Sequence, residues 1–147
     1  MPQGYVRSAG FGRRAAVAGR IENPVKKTLA DIGPDGVILD ASRVKLGTVM
    51  PDFSVRDATN AVIGGITAEN VFLDNTNRVI ARLLPDWRLV GPTELPLAVV
   101  RAGAILSTEL SPIALYSPNI DAKWVLAWFV FFSGLLDRSA EALEAIR

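Results

Sequence analysis

The side chains that could do chemistry in this chain are above all carboxylates, and they recur at a fixed interval. Asn23, Asp40, Asp57 and Asp74 stand seventeen residues apart, and Asp35, Asp52, Glu69 and Asp86 form a second series with the same spacing. Three chemistries use such groups. Stacked carboxylates can ladder hard cations, a converging pair can hydrolyse a glycosidic bond, and a single Asp or Asn can bond its own downstream amides to close a turn. A repeat scatters its carboxylates instead of converging them, no D-x-D-x-D-G calcium loop is present, and copies five and six carry Gly91 and Thr108 where the first series would continue. Turn closure is therefore the expected role.

Other catalytic routes are narrowed by composition. The 147 residues include no His and no Cys, which removes thiol nucleophiles, disulfides, the usual zinc ligand sets and an imidazole base near neutral pH. Gly10-x-Gly12 and Gly64-Gly65 lack the context of a phosphate-binding loop. The chain is read as non-enzymatic, with no catalytic residue, cofactor or metal site assigned.

The elements that carry these carboxylates are copies of one unit. Arg20 to Gly36, Val37 to Phe53, Ser54 to Asn70, Val71 to Trp87 and Arg88 to Ala104 align without a gap. Three columns are apolar throughout: the second (Ile21, Ile38, Val55, Phe72, Leu89), the tenth (Leu29, Leu46, Ile63, Ile80, Leu97) and the thirteenth (Ile32, Val49, Ile66, Leu83, Val100). Short β-branched runs separated by Asp-bearing turns read as one β-hairpin per copy. A sixth, degraded copy follows at an offset of 16, where Pro96 to Val100 recurs as Pro112 to Tyr116. A lone hairpin is marginal in water, so the copies must share a core to which all three columns contribute. Five to six hairpins closing into a small ring or barrel-like flower satisfy this, with a β-solenoid or spiral as the alternative. The short final copy favours closure.

The pattern V-x-D-x-x-x-x-x-I-G-x-I with a following acidic turn, in VILDASRVKLGTVMPDF and SVRDATNAVIGGITAEN, resembles the β-flower proteins of bacteria, which are built from tandem hairpins. The resemblance spans roughly residues 21–104. It implies a compact hairpin ring and no shared catalytic residues. Two features depart from it: Arg43, Asn60 and Asn77 stand where a turn glycine is common, and the C-terminal part is strongly apolar.

Three regions follow, a basic arm over 1–19, the repeat domain over 20–117 and a C-terminal segment over 118–147. The arm is the basic end of a nearly neutral chain. The first 27 residues hold six of its 16 basic groups and one of its 15 acidic ones, which leaves the remainder at −4. Arg7, Arg13, Arg14 and Arg20 are the arm's candidate contacts, read chiefly as docking on acidic protein surface and not on nucleic acid. No secretory signal peptide is evident, because the apolar stretch from Ala15 to Gly19 is too short. The expected location is cytoplasmic or within an assembled particle, with membrane association as the other reading.

From Trp124 to Leu136 the chain carries no charge. As a helix this run reaches about 20 Å, short of a bilayer core of about 30 Å. A helix from about 119 to 146 is expected, apolar at first and then amphipathic, with Ser117-Pro118 as its cap and first residue. A strand is the alternative for its first half. Trp124, Trp128, Phe129, Phe131 and Phe132 are its candidate interaction residues. They would pack on the ring, dock on a neighbouring subunit or meet lipid. The expected function is a structural or assembly subunit, attached through arm and C-terminal segment to copies of itself or to a larger complex; the alternative is an accessory protein of a membrane complex.

Overall fold

A computed structural model describes residues 19–135. Each copy of the repeat forms one hairpin: β1 (Gly19–Glu22) with β2 (Thr28–Ile32), β3 (Val37–Asp40) with β4 (Lys45–Val49), β5 (Ser54–Asp57) with β6 (Val62–Ile66). Then follow β7 (Val71–Asp74) with β8 (Val79–Leu83), β9 (Arg88–Val90) with β10 (Pro96–Arg101), and β11 (Ala104–Leu106) with β12 (Pro112–Tyr116). The twelve antiparallel strands close into a barrel, with β1 paired to β12 through Ile21 opposite Tyr116. Closure leaves no edge strand among the described residues, so the hairpins form a ring and not a solenoid. The sixth copy is complete. The residue it lacks is missing from the connection before it, where Ala102-Gly103 replaces the longer turns found between the other hairpins.

One backbone turn, ending in a left-handed residue, serves both ends of the barrel. At the hairpin tips the fourth residue opens the turn: Asp40 Oδ1 accepts from the amides of Ser42 (2.8 Å) and Val44 (2.9 Å). Asp57 and Asp74 repeat this with Thr59 and Ala61, and with Thr76 and Arg78. In the sixth hairpin the equivalent residue is Ser107 and not Thr108, because of the missing residue, and its Oγ accepts from Glu109 and Ser111. The seventh residue then turns left-handed: Lys26, Arg43, Asn60, Asn77, Glu94 and Leu110 have φ between 67° and 73°. A residue with a Cβ is strained there by roughly 1–2 kcal/mol, Asn60 and Asn77 least because Asn tolerates this region, and the absent turn glycine of the sequence is the local sign of that strain.

The three apolar columns do not behave alike. The second and thirteenth point inward and are buried in every copy. The tenth is the bulged residue of each hairpin, as where Ile38 faces Gly47 but Leu39 faces Lys45, skipping Leu46. The bulge breaks strict alternation, and Leu29, Leu46, Ile63 and Ile80 lie only half-buried against the core. The third fully inward column is the eleventh: Ala30, Gly47, Gly64, Ala81, Ala98 and Ala114, all small and all buried. Each sits across from a large second-column residue, Ile21 from Ala30 and Phe72 from Ala81 among them.

The small column makes room for α1 (Ala122–Phe131). Val125 to Val130 are all buried and belong to one cluster with the inward strand residues. A helix apolar on every side must be enclosed, and this one fills the barrel. A Cβ on Gly47 would collide with the Phe132 ring, and one on Gly64 with that of Phe131, which itself lies 6.5 Å from Phe72. The helix is shorter than the 119–146 expected, and its cap is Asp121, whose side chain accepts from the Lys123 amide at 2.8 Å. Ser117 closes the barrel instead, its Oγ accepting from the Arg20 amide at 3.0 Å. Ser133 Oγ donates to the Phe129 carbonyl and Gly134 takes φ 75°, which stops the helix at Phe131. The amphipathic continuation beyond 135 lies outside the described residues.

Candidate interaction surfaces

With the interior filled, chemistry is available at the two ends of the barrel and on its wall. The tip end presents the turn carboxylates. Each is spent on its own turn, and hydrogen bonds to the charged form hold Asp57 below the usual carboxylate range, as they do Asp52 and Asp86 in the connections at the opposite end. Asp74 is lowered to about 2, first by the Thr76 hydroxyl and then by the Arg78 and Thr76 amides. Among the described residues no group of three or more acidic side chains is arranged to hold a metal ion.

The same end is also apolar. Val25 is 75 % exposed, Val44 59 %, Leu110 57 %, Val62 46 % and Val79 37 %. They come from hairpins one, two, six, three and four, in each case from the tip or from the strand residue beside it. The result is an apolar rim distributed around the ring. No apolar column of the sequence marks it, because these residues occupy the sixth to ninth places of different copies.

The opposite end, where the helix begins, is formed by the connections between hairpins. Its rim residues are the left-handed Gly36, Phe53, Asn70, Trp87 and Gly103. Lys123 Nζ lies over the Phe53 ring, 4.6 Å from its centre. Beside Trp87, which is 49 % exposed, a cleft of about 410 Å³ is walled by Val100, Arg101, Tyr116, Ile120 and Ala122. Burial pushes the Tyr116 phenol above its ordinary value, and its hydroxyl donates to the Arg101 carbonyl at 2.9 Å.

The residues singled out from sequence fall as follows. Arg20 lies in β1, its Nε 2.8 Å from Oδ1 of Asp31, whose other oxygen takes Arg43 Nη1 at 3.1 Å. Asp31 is 2 % exposed and is the one buried charged residue among those described, so both guanidiniums are held in an internal pair on the wall. The bond and charge of Asp31 raise the Arg20 pKa. Arg7, Arg13 and Arg14 lie outside the described residues. Trp128 and Phe129 are in the core, and Trp124, Phe131 and Phe132 pack against it; the apolar surface of this run is largely consumed within the chain. No helix among the described residues is long and apolar enough to cross a membrane.

The molecule is a hairpin barrel filled by its own helix, with an apolar rim at one end and a cleft at the other. No family model, no curated protein and no solved structure matches it.

Proposed function

We propose that this protein is a non-enzymatic structural subunit of the β-flower type, which docks through its hairpin tips onto another protein, in the first instance a copy of itself. The observation that carries the reading is the rim of Val25, Val44, Val62, Val79 and Leu110, five large apolar side chains left in water at one end of a barrel whose interior is already full. Exposed apolar residues scattered singly need no explanation, whereas these five recur at the tips of five of the six hairpins and so set one end of the barrel apart from the other. A closed barrel is a suitable carrier for it, because the rim is held by a continuous ladder and little ordering entropy remains to be lost on docking. The basic arm, with Arg7, Arg13 and Arg14, would add attachment to acidic protein surface.

The test is the absolute mass of the full chain by light scattering, with and without detergent, alongside the variant Val25→Ser/Val44→Ser/Leu110→Ser. A defined oligomer that the triple variant dissociates while keeping its thermal transition is the expected outcome. A monomer at all concentrations would remove self-assembly, and a monodisperse particle only in detergent would move the rim to lipid.

A further inference from the structure

Two departures from the repeat meet at one place on the helix-entry end. The first is Trp87, left-handed at φ 69° at a rim position held elsewhere by Gly36, Asn70 and Gly103. Phe53 is strained in the same way, but its ring is half-buried beneath Lys123. The indole of Trp87 is 49 % exposed, so its strain is not offset by burial. The second departure is the shortened Ala102-Gly103 connection, which removes one residue from the rim one hairpin further on. Between the two lies the cleft of about 410 Å³. Local rules broken together without a structural return point to a functional position.

We infer that this cleft is a binding site for a small planar aromatic carboxylate. Its walls are apolar or aromatic, from Trp87, Val100, Tyr116, Ile120 and Ala122, and the one charged side chain on it among the described residues is Arg101. Arg101 Nη1 donates to the Val100 carbonyl at 3.3 Å, one of five donors on a guanidinium. The volume falls within the range of small-ligand sites. Trp87 supplies a ring face for stacking, Arg101 the counter-charge. Among the described residues no carboxylate lines the cleft, and the charge balance there selects an anion. The site is at the far end of the barrel from the tip rim and goes beyond the assembly reading.

The experiment is calorimetric titration of the full chain with 2-naphthoate and with its neutral analogue 2-naphthamide. One saturable site is expected, with the acid bound more tightly. Arg101→Gln weakens the acid about tenfold and leaves the amide unchanged. Trp87→Gly weakens both about tenfold, and because glycine relieves the left-handed strain, its thermal transition is not lowered. Absence of saturable binding at millimolar ligand overturns the inference. So does equal affinity for acid and amide, or affinity unaffected by Trp87→Gly. A light-scattering mass that falls in Trp87→Gly would make the cleft an interface between chains and would equally overturn it.

Discussion

A single left-handed residue ends each turn, and the carboxylate three residues before it at the tips does much of the remaining work. Asp74 shows how much a charge can matter on a partly exposed turn. Its hydrogen bonds favour the ionised form and lower its pKa to about 2, below the value of about 3.9 in an unfolded chain. The turn's contribution is therefore complete above about pH 4 and is lost as the pH falls towards 2. Acid unfolding followed by circular dichroism is expected to show that loss. Asp74→Asn, which keeps an acceptor oxygen, should flatten the acid dependence while Asp74→Ala weakens the fold at neutral pH as well. This residue-level logic was legible in the sequence, because Asx turns announce themselves by type and spacing. The eleventh column was not, since Ala and Gly carry no apolar signal to count. The sixth tip's acceptor is Ser107 and not Thr108, hidden in the sequence because a one-residue loss shifts the register of everything beyond it.

At the scale of elements the informative pairing is helix with small column. The apolar run from Trp124 announced that it needed cover, but periodicity has nothing to act on in a run without polar residues, so helix and strand could not be separated. What separates them is the barrel. A helix about 10 Å wide requires a vacant axis, and Gly47, Gly64 and the four alanines vacate it. Gly64→Ala places a methyl against the Leu73 carbonyl and the Phe131 ring. The backbone cannot retreat, and overpacking of this kind costs about 1–3 kcal/mol. Denaturant unfolding should show that loss with an unchanged slope, and a midpoint equal to the parent's would mean that the helix has slack in its seat. The cap at Asp121 was missed for a related reason: Ser117-Pro118 is the stronger local signal, but closure of the barrel claims Ser117 first.

For the whole molecule, the short final copy favours a ring over a solenoid, and the pairing of Ile21 with Tyr116 realises the ring. Sequence could not show that the ring would be too wide to be filled by its own strands. Twelve strands enclose more space than short inward side chains occupy, so barrel and helix stabilise each other. Removing residues 118–147 is expected to abolish the cooperative thermal transition, because the cavity left is far larger than that of any single truncation. A sharp transition in that shortened chain would show that the hairpins collapse to a different core.

Closure across 97 positions, from Arg20 to Ser117, also bears on synthesis. Each hairpin can form as it leaves the ribosome, since its partners are neighbours in sequence. The first strand nevertheless waits for the last, and until then the growing sheet has two unpaired edges and an unfilled apolar inner face. The segment that fills that face is translated after every strand that surrounds it. The nascent chain is thus most vulnerable to sticking late in its synthesis, when its exposed apolar area is largest, and anything that slows translation between Tyr116 and Phe132 prolongs that exposure.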